Sequence, residues 1–344
     1  MSKTGPIVPT PAEMPASAQM FTLLSSFMVT QVLHAAADLR LADHLAGGAR
    51  TADEIAALEA SHPATTYRLM RACVSLGLLV HEGGGRFTVT PMGQLLRTGV
   101  DGSLHDMAMV MGSPGHWLPW GRLTDAIRKG ESQAKEALGM TLFEHFAANP
   151  AEGAAFVAGL KPLNEPVLNE APRVIDTAGV SLAVDVGGGV GDLLQRLMLA
   201  NPDLRGMVLD LPAVVEAARE DMDRAGLGDR FSVLAGDFFA SIPEADMYLV
   251  KFVLHDWDDA ACVRILRNCR AAATPDARLL VVETVLDDDW TLDATMMDLN
   301  MLALVNGQER DLASFDALFA ASGWKRTALH RMQGPYSVIE LRTA

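Results

Sequence analysis

The sequence predicts an α/β protein in which a mainly helical N-terminal part precedes a mostly parallel sheet covered by helices on both faces. Two observations carry this. From Ser181 onward, short apolar runs alternate with helical stretches, the order that parallel strands joined by crossover helices require. Before that, the chain reads helix, turn, helix, hairpin, the order of a winged helix.

Met1 to Pro15 is rich in Pro, Ser, Thr and Ala, and no basic segment leads into an apolar one. Residues 1–16 are therefore expected to be a flexible leader and not a signal peptide. Gln31 to Leu45 sets Val32, Leu33, Ala36, Leu39 and Leu45 near one helical stripe. Thr51-Ala-Asp-Glu has capping-box spacing and predicts a helix through Ala60. Pro63 suits the first turn of the next helix, which carries Tyr67, Leu69, Met70, Cys73 and Leu76 to a stop near Gly77. Leu78–Val80 and Arg86–Thr90 flank Glu82-Gly83-Gly84-Gly85 as a hairpin, completing a winged-helix module over residues 17–102.

Residues 103–175 are helical in pattern. Their aromatics, Trp117 and Trp120, then Phe143, Phe146 and Phe156, suit either a core or a pocket for a flat ligand, and Pro162, Pro166 and Pro172 punctuate the region. Six apolar runs follow, Leu182–Val186, Arg205–Leu209, Phe231–Leu234, Met247–Phe252, Arg278–Glu283 and Ser337–Leu341. Helical stretches separate them at Gly191–Ala200, Ala213–Ala225, Asp258–Ala273 and Leu312–Ser322. The sheet domain is expected over about residues 176–344, within a C-terminal part of 103–344.

Composition excludes some functions. Hydrophobic residues make up 49% and charged residues 21% of the 344, ordinary for a soluble globular chain. No uninterrupted apolar run approaches the roughly 18 residues of a spanning helix, so no membrane association is expected. Cys73, Cys262 and Cys269 give neither a disulfide framework nor a metal set, and a reduced cytoplasm is the expected compartment. A net charge of −15 argues against nucleic acid as partner, because neutralising phosphates needs a basic face.

A winged helix nonetheless raises the reading of a ligand-sensing DNA-binding regulator. The candidate recognition helix, Pro63 to Leu79, has only Arg68 and Arg71 as cations, and the wing tip only Arg86. Residues 1–111 hold 7 Lys+Arg against 9 Asp+Glu, a balance of −2, with no clustered basic footprint. A dimerisation and substrate-covering module fits better. The apolar stripe from Phe21 to Leu45 exceeds what such a module needs for itself and predicts a homodimer.

The sharpest local motif is Val184-Asp185-Val186-Gly187-Gly188-Gly189-Val190-Gly191, closing the first strand of the sheet. Glycines there let the backbone turn tightly and approach a ligand, although a plain tight turn would use them too. The dinucleotide fingerprint requires glycine at 192, where Asp192 stands, so a nicotinamide-dependent dehydrogenase is disfavoured. Asp210 follows Gly191 by 19 residues and can accept both hydroxyls of a ribose. Asp237, just after the third strand, can accept from an adenine amino group, and Phe238 can cover the purine face. Glycine turn, ribose acid and adenine acid in this order suit a nucleoside.

Four segments in succession carry a resemblance: Asp-Val-Gly-Gly-Gly-Val-Gly at 185–191, Asp-Leu-Pro-Ala-Val-Val at 210–215, Gly-Asp-Phe-Phe at 236–239 and Lys-Phe-Val-Leu-His-Asp-Trp-Asp-Asp at 251–259. They resemble the motifs of the class I S-adenosylmethionine-dependent O-methyltransferases of the plant caffeate and bacterial natural-product type. The likeness covers nearly the whole chain, since a winged-helix N-terminal module belongs to the same family. It implies a Rossmann-like domain that binds S-adenosylmethionine through Gly187, Asp210, Asp237, Phe238 and Lys251, leaves S-adenosylhomocysteine as product, and takes a small aromatic acceptor.

His255 follows the fourth strand, at the carboxyl edge where open α/β sheets place ligands. A lone histidine is commonly structural, and the acids after it, Asp256, Asp258 and Asp259, suit helix capping as well as metal ligation. The resemblance implies instead that His255 is a general base, that Glu283 and Glu309 flank it, and that no metal takes part. A phenol with pKa near ~10 is protonated at neutral pH, and an imidazole near ~6.5 can accept its proton. The same resemblance places Asp298, Met301 and Asn306, in the stretch 296–307, towards the acceptor; Met296, Met297 and Met301 suit an adaptable wall or plain core. N-methylation of a heteroaromatic acceptor stays open, and the acceptor itself is not legible.

Overall fold

The computed structural model describes residues 14–288 and 290–344, so most of the expected leader lies outside the described residues. The chain divides into two compact units, one holding the residues up to Gly121 and Glu136–Leu163, the other Arg122–Lys135 and Asn164–Ala344.

The first unit begins with a helix, Ala16–Asp38, in which only Ala36 and Ala37 are buried while Met20, Phe21, Leu23, Leu24, Phe27 and Met28 stand exposed. By length and composition alone it could cross a membrane, because Asp38 is its only Asp, Glu, Lys or Arg. The helical stripe expected over Gln31–Leu45 is broken: Arg40 takes a left-handed φ of 46° and a separate helix runs Leu41–Leu45. The capping box forms as its spacing requires. Thr51 Oγ1 accepts from Glu54 N at 3.2 Å, and Glu54 Oε2 accepts from Thr51 N at 2.6 Å, opening the helix Ala52–Leu58. Pro63 then starts the helix Pro63–Ser75. Strands β1 (Arg50–Thr51), β2 (Leu79–Gly83) and β3 (Arg86–Val89) form an antiparallel sheet in the order β1-β3-β2. Leu41, Leu45, Ile55, Met70, Cys73 and Phe87 bury this unit's core.

The helix Pro150–Val174 runs through Pro162, Pro166 and Pro172, each of which takes one N–H out of the helical ladder. The division between the units falls at Leu163–Asn164, inside that weakened stretch.

The second unit is built on one large sheet. Its strands are β4 (Leu182–Val186), β5 (Arg205–Asp210), β6 (Phe231–Ala235), β7 (Ala245–Lys251), β8 (Ala273–Leu286), β9 (Arg310–Asp311), β10 (Trp324–Arg331) and β11 (Tyr336–Thr343). The order is β10-β11-β8-β7-β4-β5-β6, and β9 pairs with the end of β8. The strands from β6 to β8 are parallel, whereas β11 pairs antiparallel with β8 and β10 antiparallel with β11. This is a Rossmann-like sheet. From β4 the chain steps outward to β5 and β6, then returns to the other side of β4 for β7 and β8. That reversal opens a crevice at the carboxyl ends of β4 and β7.

Apolar side chains fill both faces. Val184, Val186, Tyr248, Val250, Ile265, Leu266, Phe315 and Trp324 belong to one cluster, and Ala183, Leu193, Leu194, Leu197, Val208, Leu249 and Leu280 to the other. Some elements carry no periodic signal in the sequence. The helix Leu292–Val305 is apolar around most of its circumference, so it shows no stripe. Strand β10 is an edge carrying Lys325, Arg326, His330 and Arg331, polar residues that protect edges and hide them from a hydrophobic scan.

Candidate active site

The glycine segment lies at the carboxyl end of β4. Gly187, Gly189 and Gly191 all adopt positive φ, at 66°, 59° and 77°. At Gly187 space is tight as well, since a Cβ would lie 3.0 Å from Val253 Cγ2 and 3.4 Å from Phe238 Cε1. Gly191 ends the turn and caps the helix Asp192–Ala200. Asp210, at the tip of β5, holds the turn's shape: one carboxylate oxygen accepts from Gly189 N at 2.8 Å and the other from Leu211 N at 2.7 Å. A carboxylate has acceptor capacity beyond these two bonds. Burial raises the Asp210 pKa, opposed by the two backbone hydrogen bonds.

Asp237 is exposed, with Oδ1 accepting from Phe239 N at 2.8 Å. Gly236 N donates to Asp210 O, which sets the two acids at neighbouring strand ends. Phe238 is half-buried and meets Trp257 edge-on at 6.2 Å. Lys251 closes β7 with its ammonium 4.9 Å from the Phe252 ring centre, and burial lowers its pKa against the pull of Asp185, Asp192 and Glu283. Asp185 is fully buried beneath the turn, neither of its oxygens has a hydrogen-bond partner, and burial pushes its carboxyl up to about 7.

Beyond β7 the chain kinks at Phe252, a non-glycine residue at φ 53°. Such backbone is costly and persists where its surroundings over-determine it. Its ring stacks on the His255 imidazole at 5.8 Å and 20° and meets Tyr336 edge-on at 5.4 Å. His255 sits in a tight turn, Leu254–Asp256, with its side chain 14% exposed. Its Nδ1 is 3.0 Å from Glu309 Oε1 and 3.6 Å from Glu283 Oε2. Glu283 is fully buried at the carboxyl end of the sheet, and its Oε1 accepts from Val253 N and Leu254 N at 3.0 and 2.8 Å. The structure thus brings together His255, Glu283 and Glu309, three residues far apart in the chain.

Of the acids expected to cap a helix or ligate a metal, one lies instead on the other side of the ring. Asp256 Oδ1 lies 3.7 Å from Nε2, whereas the capping role falls to Asp258, which accepts from Ala261 N. Asp298 serves the site indirectly by accepting from Glu309 N at 2.9 Å. Asn306, in a left-handed conformation, accepts from Ser132 N.

An Nδ1–H donating to Glu309 leaves Nε2 as the ring's lone-pair nitrogen. Burial alone would keep the imidazole neutral, but Glu283, Asp256 and Glu309 outweigh it and hold the imidazolium well above the ordinary histidine range. Burial raises Asp256 to about 6 and raises Glu283 as well, both opposed by His255. His255, Glu283 and Glu309 also lie close enough together to bind a metal ion. The distances are equally those of a hydrogen-bonded cluster, and hard or borderline cations find no further ligand set here among the described residues.

Comparison with known proteins decides the family. A model described as the O-methyltransferase domain matches residues 120–325, and one described as the O-methyltransferase dimerisation domain matches residues 21–99. The chain belongs to the S-adenosylmethionine-dependent O-methyltransferases. It is 31% identical to a phenazine O-methyltransferase of Lysobacter antibioticus, over 95% of this chain and 96% of that one. It is 32% identical to the 8-amino-8-demethylriboflavin N,N-dimethyltransferase of Streptomyces davaonensis, over 97% and 98%. Among solved structures, an O-methyltransferase of neocarzinostatin biosynthesis in complex with S-adenosylmethionine and 2-hydroxy-5-methyl naphthoic acid superposes with a TM-score of 0.83 at 34% identity, covering 92% and 96% of the two chains.

If Glu309 holds the His255 proton at Nδ1, then Glu309→Gln lowers the imidazole pKa by removing both a charge and a strong acceptor. An NMR titration of the His255 ring protons reads this directly, and an unmoved midpoint would show that Glu309 does not act on the ring.

Proposed function

We propose that this O-methyltransferase transfers a methyl group from S-adenosylmethionine to a hydroxyl of a small aromatic acceptor, with His255 as general base and without a metal. The observation that carries this reading is the orientation of His255: Nδ1 is tied to Glu309 while Nε2 is left to receive a proton. The naphthoate-bound relative supports an aromatic acceptor, and the phenazine enzyme supports an oxygen nucleophile.

The glycine turn fits the methyl donor. No atom lies within 4 Å of where a Cβ would stand on Gly189, leaving open space beside the turn, and Asp210 keeps acceptor capacity for a ribose. In this assignment Gly187 gives close backbone approach, Asp210 accepts from the ribose, Asp237 from the adenine amino group, Phe238 covers the purine, and Lys251 closes the pocket. When bound, S-adenosylmethionine supplies a methyl group on a positively charged sulfur, and S-adenosylhomocysteine remains after its loss.

The chain's own part is to prepare the acceptor oxygen. His255 Nε2 takes the hydroxyl proton as the oxygen becomes nucleophilic. Glu309 and Glu283 stabilise the imidazolium so formed, and Glu309 keeps the Nδ1–H pointing away from the acceptor. The carboxylates around the ring strengthen it as a proton acceptor for a phenol near ~10, and only the fraction of enzyme with a neutral ring acts as base.

The dimerisation-domain match and the exposed apolar face of Ala16–Asp38 support a homodimer assembled through the N-terminal unit. Light scattering at micromolar concentration should give twice the chain mass; a one-chain mass overturns the assignment.

Asp210→Ala should weaken S-adenosylmethionine binding by about 10- to 100-fold, the loss of charge-assisted hydrogen bonds. Calorimetry with unchanged affinity would remove Asp210 from the donor site. His255→Ala should cut kcat by ~10²- to 10⁴-fold with donor affinity retained, the usual range for a general base. The loss should shrink across acceptors of falling hydroxyl pKa, and exhaustive chelation should leave the wild-type rate unchanged. A loss independent of acceptor acidity would make His255 a positioning group. Full activity of the variant would favour an amine acceptor, the kind of nitrogen chemistry named for the riboflavin relative.

A further inference from the structure

The turn that carries His255 is a single three-residue 3-10 turn, Leu254–Asp256, outside the sheet and the longer helices, yet its backbone polar groups are paired in detail. On the amide side, Glu283 Oε1 takes the N–H groups of Val253 and Leu254. On the carbonyl side, one side chain does comparable work. Arg310 is 2% exposed; its Nη1 donates to Leu254 O at 2.9 Å, its Nη2 to Trp257 O at 2.8 Å, and its Nε and Nη2 to Asp259 Oδ1 at 3.0 and 2.8 Å. These acceptors bracket His255 on both sides in the chain. The segment before Arg310 completes the clamp: Gln308 N donates to His255 O at 2.9 Å, and a Cβ on Gly307 would stand 1.8 Å from that same oxygen. Only glycine lets the two backbones approach this closely.

We propose that Arg310 is a positioning residue for the reaction: its guanidinium clamps the 254–259 turn and thereby fixes His255 at the angle from which Nε2 meets the acceptor. Among the hydrogen bonds found for its guanidinium, none goes to the imidazole, so its effect passes through the backbone. The planar fork matters as much as the charge, because one rigid group spans two carbonyls and a carboxylate. Lysine offers a point charge at the end of a flexible stem and cannot hold all three. The same four residues, 307–310, carry both the clamp and Glu309, so the base and its orienting carboxylate are set by one piece of backbone.

The inference rests on His255 acting as the base, and a double-mutant cycle separates the two ideas. The cycle uses Arg310→Lys, and also Asp259→Asn, which removes the exposed carboxylate holding the guanidinium and keeps the clamp testable if the lysine variant does not fold. Each is measured alone and combined with His255→Ala, with kcat, acceptor KM, donor affinity and thermal stability recorded. Arg310→Lys should lower kcat by about 10- to 100-fold, the scale of a misplaced catalytic group, with donor affinity within about twofold. Asp259→Asn should lower it less. In the His255→Ala background neither substitution should reduce the rate further, since the group they position is gone. Additive losses, or a kcat loss that tracks lost donor binding, overturn the role assigned to Arg310. A His255→Ala enzyme of wild-type rate instead overturns the base assignment itself, a result the single variant already reveals.

Discussion

One imidazole among three carboxylates, in a place largely closed to water, is the arrangement around which the second unit is organised. Left alone, burial would strip the charge from every member. Held together, the ring and its acids keep charge in each other's presence, at the cost of demanding tight geometry. The sheet meets that demand in an economical way. Strand β8 is 14 residues long and delivers Glu283 beneath the His255 turn, then continues to Val285 and Leu286, where two residues of β9 pair with it. Because Arg310 lies opposite Val285, Glu309 arrives beside the strand that carries Glu283. A pairing only two residues long thus brings the second carboxylate to Nδ1.

Much of this architecture is legible in the sequence, and the rest is hidden for physical reasons. The strand run Leu182–Val186 stands out because a parallel strand buried on both faces is nearly all apolar, Asp185 excepted. Phe231–Leu234 is legible from its apolar composition, although it lies half-buried or exposed at the sheet edge. Thr51 and Glu54 announce a helix start because their reciprocal bonds depend only on spacing three. The break at Arg40 has no such marker, since a left-handed arginine is a product of tertiary context. At the site, motif resemblance points to His255, Glu283 and Glu309, and only the fold shows that they meet. Asp256 and Arg310 were in plain view beside those motifs. A run of acids after a histidine looks like capping, and nothing local shows that Asp258 caps while Asp256 turns to the ring. Arg310 binds backbone carbonyls, and carbonyls leave no trace in a sequence.

The glycine turn proposed to receive the donor follows a different logic. Asp210 uses both oxygens to shape the glycine turn, so the carboxylate assigned to recognise the ribose is also part of the scaffold that receives it. Its orientation is therefore set before a ligand arrives, which limits the side-chain entropy lost on binding. Asp185 lies one layer below with no partner for either oxygen, an uncommon state for a buried carboxyl and one that raises its pKa.

The anchoring of His255 through main-chain groups bears on how such an enzyme diversifies. Carbonyls and amides are present whatever the side chains are, so substitutions at Leu254 or Trp257 need not disturb the bonds that aim His255. All of those bonds, moreover, lie within residues 253–310 of one unit. Residues elsewhere in the chain are thereby released from holding the His255 turn. A lineage built this way can change many side chains by small steps, each viable, because the bonds that place the imidazole belong to the main chain and to a few residues of one segment.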